Sequence, residues 1–110
     1  GFFDRYYIWH KNLQCDYTKD IIACPYLSGC FLIIPVGAYR EVKGFCKRYF
    51  LHFEDADLIR RLSLVGKTLH NPIGGVVHGW ARGSHSSLSQ TFSLIKSFFV
   101  YCSIWGFFLF

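Results

Sequence analysis

The stretch FLHFEDADLIRR, residues 50–61, sets two adjacent carboxylates, Glu54 and Asp55, at the mouth of an amphipathic helix. Leu58, Ile59, Leu62 and Val65 recur at three- and four-residue spacing and share one face, with Arg60 and Arg61 turned toward another. Gly66 supplies a stop, so a helix over residues 54–65 is predicted. Acids in a first turn are favoured by the partial positive charge of the helix N-terminus, and the pair could serve only as a helix-start device. The collar around it argues for more. Tyr49, Phe50, Leu51 and Phe53 precede the pair with no turn residue between, and a carboxylate set against aromatic surface loses water and gains basicity.

A chain of 110 residues suffices for one small domain or part of a larger one. It opens on Gly1, has no methionine and ends on aromatic groups, and 20% of its residues are aromatic. Such a surface is expected to be covered by further polypeptide or by a membrane. The net charge of +5 invites a nucleic-acid reading, but Arg40, Lys43, Lys47, Arg48, Arg60, Arg61, Lys67, Arg82 and Lys96 are scattered rather than clustered. No nucleic-acid partner is expected; lipid headgroups or phosphorylated substrates suit this distribution. The 5 cysteines are odd in number and contain no CxxC pair, so buried thiols are expected rather than a zinc site or a disulfide framework.

Along the chain, residues 31–34 read as a buried strand closed by Pro35, followed by a short helix with Gly44 as its stop. A short strand is expected at residues 68–70 and another at 76–78, where two glycines precede Val76, Val77 and His78. Alternating strands and helices make the class α/β or α+β. His78 could be a structural histidine or, as neutral imidazole, a ligand for a divalent cation whose other ligands come from elsewhere. Arg82, Ser84, His85 and Ser86 lie in a small-residue loop before a helix, the parts from which phosphate sites are assembled, although Ser86 or Ser87 could simply cap that helix. Residues 92–110 carry only Lys96 as a charge and are borderline in length for spanning a bilayer. They fit an in-plane or partly inserted membrane helix, or a core helix awaiting more polypeptide. The division expected is residues 1–91 as catalytic or acceptor part and 92–110 as membrane-associated helix.

Four blocks then carry a resemblance: SGCFLIIP at 28–35, AYREVKGF at 38–45, YFLHFEDADLIRRL at 49–62 and VVHGWARGSHSS at 76–87. In order and spacing they resemble the C-terminal part of family 2 glycosyltransferases, in the rhamnosyltransferase-like branch that builds bacterial surface polysaccharides such as O-antigen. The resemblance covers most of the chain after about residue 23. It implies the C-terminal portion of a GT-A type α/β fold with the nucleotide-binding half absent. It further implies inverting transfer of a sugar, with dTDP-rhamnose as donor and a polyprenyl-diphosphate-linked saccharide as acceptor, at the cytoplasmic face of the bacterial inner membrane as a peripheral protein.

Position by position, the resemblance makes Asp55 the general base for the acceptor hydroxyl, with Glu54 beside it, and His78 a ligand of divalent metal, magnesium or manganese. Ser28, Gly29 and Cys30 would border the sugars, Trp80 lies in the His78 block, and Arg82 and His85 would reach an acceptor diphosphate. The family's DxD metal motif and nucleotide-binding strands have no counterpart here; Asp55 to Asp57 has the letters of DxD but sits in the base motif. The chain alone is therefore expected to be inactive. Two competing readings are a non-enzymatic membrane-associated module and a small zinc protein using Cys46, His52, His70 and His78.

Overall fold

In the computed structural model, which describes residues 16, 18–79 and 88–107, the elements run β1 (Ile22–Ala23), α1 (Val36–Glu41), α2 (Glu54–Val65), β2 (Leu69–His70) and α3 (Leu88–Trp105). β1 and β2 pair antiparallel, Ile22 opposite His70 and Ala23 opposite Leu69. The ladder is extended by Cys24 N donating to Thr68 O at 2.9 Å and by the Thr68 hydroxyl donating to Cys24 O. The four described cysteines, Cys24, Cys30, Cys46 and Cys102, are free thiols.

The helix predicted at residues 54–65 forms over that span, but it buries more than one stripe. Ala56, Asp57, Leu58 and Ile59 are buried in succession, while Val65, expected on the buried face, is exposed. Two neighbours account for this. Leu58, Ile59 and Leu62 pack against Leu27, Leu32, Ile34, Ala38 and Val42, whereas Ala56 packs with Tyr49 and Tyr101 among Cys46, Phe53, Val100 and Trp105. A helix covered on both flanks has no solvent stripe over its first turns.

The helix α1 starts after Pro35 and ends in a paired-carbonyl cap in which Gly44 N donates to Tyr39 O at 2.9 Å and Lys43 N to Arg40 O at 3.0 Å. Lys43 and Gly44 both take left-handed backbone, at φ 61° and 63°. A Cβ at Gly44 would lie 2.8 Å from the Tyr39 ring. Gly44→Ala is therefore expected to cost about 1–2 kcal/mol, read as a lower denaturant midpoint, because an L-residue resists left-handed backbone.

The strands predicted at residues 31–34 and 76–78 do not form. Leu32 and Ile34 turn inward while Phe31 and Ile33 face out, so the alternation of a strand is present without a ladder partner among the described residues. Val76, Val77 and His78 are all exposed and belong to no helix or strand. Continuous β-branched residues favour extended backbone, but a strand needs a neighbour to satisfy its N–H and C=O groups.

The final helix begins at Leu88, and its inner face is a core face. Ser97, Tyr101 and Cys102 are buried, and the Tyr101 ring meets Phe53 at 5.4 Å between centroids. Among the described residues no helix is long and apolar enough to cross a membrane.

Candidate active site at the start of the acidic helix

Two consecutive residues, His52 and Phe53, hold left-handed backbone at φ 68° and 62° immediately before Glu54. Non-glycine residues there cost on the order of 1–3 kcal/mol each, so packing must hold them. The Ser97 hydroxyl donates to Leu51 O at 2.6 Å, and the Phe53 ring meets Phe98 and Tyr101 in tilted contacts at 5.9 Å and 5.4 Å between centroids. These contacts take the place of a turn residue. They aim the first turn of α2, whose N-cap Phe53 makes no side-chain cap bond. Of the expected collar, Tyr49 is buried but Phe50 is 86% exposed and stands away from the acids.

Asp55 is half-buried, and the 26–29 segment closes over it. Its Oδ2 accepts from the Tyr26 hydroxyl at 3.0 Å and from Gly29 N at 2.9 Å, and its Oδ1 accepts from Ala56 N at 2.8 Å. A carboxylate offers about four acceptor positions, two on each oxygen. Both of those on Oδ2 are filled by the described residues, leaving the remaining position on Oδ1. Gly29 eases this approach: a Cβ there would make a tight contact, 3.1 Å from the Cβ of Asp55. Partial burial of the Tyr26 phenol, with the Asp55 carboxylate beside it and Glu54 near, pushes its pKa above the ordinary tyrosine range. It therefore remains a hydrogen-bond donor to Asp55 throughout neutral pH.

Three buried polar atoms lack a hydrogen-bond partner among the described residues: Glu54 Oε2, His52 Nε2 and the Tyr49 hydroxyl. Burial, with the Asp57 carboxylate next, pushes the Tyr49 phenol up as well. Glu54 and His52 flank the strained step into the helix, so unmet hydrogen-bonding capacity lies on either side of it.

The third acid of the run has a different occupation. Asp57 is 1% exposed. Its Oδ2 accepts from Arg61 Nη2 at 2.6 Å and Nε at 2.9 Å, and its Oδ1 from the Trp105 indole N–H at 2.8 Å. Arg61 also donates to Gly44 O at 2.7 Å and to Val42 O, closing the open carbonyls behind α1. Arg60 stacks on the Trp105 ring at 4.5 Å and donates to the Tyr101 hydroxyl at 3.0 Å. The two arginines, expected on a face apart from the apolar stripe, thus tie α2 to its neighbours.

The structure brings Asp55, Glu54 and the turn of Ser28, Gly29 and Cys30 together, with Cys30 N donating to the Ser28 hydroxyl at 3.5 Å. Tyr26 joins them; nothing local in the sequence marks it, since its bond to Asp55 spans 29 positions. His78 is exposed, and no hydrogen bond joins it to Asp55. Trp80, Arg82 and His85 lie outside the described residues. Among the described residues no group of three or more His, Cys, Asp or Glu side chains could hold a metal ion. That overturns the zinc reading built on Cys46, His52, His70 and His78, and the described residues by themselves do not make a magnesium or manganese site either.

No protein-family model matches the chain, and no solved structure matches it at a significant level. Over 76 residues, 67% of its length, the chain is 36% identical to Rhamnosyltransferase WbbL of Escherichia coli (strain K12). The matched stretch is 29% of that relative, so the chain spans well under two thirds of the protein it resembles. Similarity of this extent supports a glycosyltransferase-like relationship.

Proposed function

We propose that this chain is the acceptor-side portion of an inverting glycosyltransferase with a GT-A type α/β fold, in which Asp55 is the general base. The observation that carries the reading is the held carboxylate: Tyr26 and Gly29 fix Oδ2, and one acceptor position on Oδ1, unfilled among the described residues, is offered to a substrate hydroxyl. In the reaction, Asp55 takes the proton of an acceptor sugar hydroxyl as that oxygen attacks the anomeric carbon of a nucleotide-sugar. The bond from that carbon to the nucleoside diphosphate breaks, and configuration inverts. Fixing the carboxylate before the acceptor arrives removes part of the orientational cost of the step.

Ser28, Gly29 and Cys30 would border the acceptor sugar. The relative's name points to a rhamnosyl donor, in keeping with dTDP-rhamnose, and the acceptor proposed is a polyprenyl-diphosphate-linked saccharide of O-antigen type. A divalent cation would require ligands beyond the described residues, with His78 contributing at most one imidazole. The donor site itself is assigned to polypeptide outside this chain, so the chain by itself is expected to be inactive.

The test is a chimera. The stretch of the rhamnosyltransferase that matches this chain over 76 residues is replaced by the corresponding residues of this chain, and transfer of labelled rhamnose to a lipid-linked acceptor is measured. Retained transfer is expected; a folded chimera with no transfer would overturn the proposal.

A further inference from the structure

We infer that Tyr26 is a positioning residue for the proposed transfer: its hydroxyl, bonded to Oδ2 of Asp55, sets the angle at which Oδ1 meets the acceptor hydroxyl. This role rests on the reading of Asp55 as the base. The blocks that carry the family resemblance begin only at Ser28, so the resemblance assigns Tyr26 nothing.

The hydroxyl, more than the ring, is what Tyr26 contributes. The residue is 43% exposed and so adds little to the core, whereas its neighbour Leu27 packs against Leu58, Ile59 and Leu62 and seats this stretch of chain on α2. From that seat the phenol donates to Asp55 Oδ2 at 3.0 Å. Burial first, then the Asp55 carboxylate, with Glu54 and Cys30 behind them, keep the proton on the phenol, so the bond runs from tyrosine to carboxylate. A donor to an ionised oxygen makes one of the stronger hydrogen bonds of a protein.

Rotation of the carboxylate is what such a bond controls. The last torsion of an aspartate is broad, so a carboxylate with few donors presents its oxygens over a wide range of angles. Here the Gly29 amide and the Tyr26 hydroxyl meet on Oδ2, and the Ala56 amide reaches Oδ1. Tyr26 and Gly29 belong to one short stretch between β1 and α1, so removing the hydroxyl also loosens the amide beside it on the same oxygen. A reacting atom displaced by about 1 Å can cost on the order of 10²-fold in rate. The loss would fall on the chemical step rather than on acceptor binding.

Tyr26→Phe keeps the ring and removes only the hydroxyl, and it is tested twice. In the whole chain, with folding established by circular dichroism, exchange of the Gly29 amide with solvent is expected to quicken about tenfold; an unchanged rate would overturn the inference without any turnover being measured. In a folded chimera that includes residue 26, the variant is expected to lower kcat about tenfold and to leave the acceptor KM within about twofold. When Asp55 is already asparagine, Tyr26→Phe is expected to cost nothing further, because it acts through the base. A merely structural tyrosine would cost the same factor in both backgrounds, and that result, or full turnover by Tyr26→Phe, would overturn the role. Failure of the base reading looks different: Asp55→Asn itself would then turn over fully, whatever Tyr26→Phe does.

Discussion

Asp57→Ala is expected to lower the unfolding free energy by about 3–5 kcal/mol, the cost of leaving one member of a buried ion pair alone. Arg61 would keep its place against Gly44 O and Val42 O but lose both bonds to the carboxylate, and the Trp105 indole N–H would lose its acceptor. Since small domains are stable by only about 5–15 kcal/mol, most of the margin would go. Urea denaturation followed by tryptophan fluorescence measures it directly, because Trp105 reports the affected contact. Arg61→Met is the complementary variant. It leaves Asp57 with the indole alone, and a loss as large as that of Asp57→Ala is expected; a change under about 1 kcal/mol in either would show that the pair does not hold the helices together.

The second large effect is on chemistry. In the folded chimera, Asp55→Asn is expected to lower kcat by about 10²–10⁴-fold, the range for a general base, while donor affinity is unchanged. The asparagine keeps an acceptor oxygen and nearly the same shape, so the Gly29 amide and Tyr26 hydroxyl retain a partner and the fold is spared. Glu54→Gln should act differently. Its Oε2 is buried with no hydrogen-bond partner among the described residues, so the amide is expected to leave kcat largely unchanged. Full turnover by Asp55→Asn would remove the role assigned to the carboxylate. The two aspartates, two positions apart, thus predict opposite phenotypes: one loses stability and the other loses rate.

The acidic helix was legible because its signals are local: apolar residues at helical spacing, acids in the first turn and a glycine after the last. The short helix after Pro35 was legible for the same reason, although its left-handed cap residue is Lys43, with Gly44 following it. The strands expected near Phe31 and Val76 were not found, since β-branched runs record only a preference for extended chain and the partner strand is a long-range matter. The turn of Ser28, Gly29 and Cys30 was identified through resemblance, and the structure places its Gly29 amide 2.9 Å from the Asp55 carboxylate, where a Cβ would be tight.

By itself the sequence determined where the first two helices lie and stop, and that carboxylates crowd the start of one, because period, capping and charge act over a few neighbouring residues; the last helix, expected to run over residues 92–110, ends at Trp105. Only the tertiary structure decided what each carboxylate does. Arg61 and Trp105 saturate Asp57, whereas Tyr26 and Gly29 fill one oxygen of Asp55 and the other, which accepts from Ala56 N, keeps one position unfilled among the described residues. The chemistry of a buried acid depends on which donors reach it, and those donors, up to 48 positions distant, are set by packing rather than by spacing along the chain.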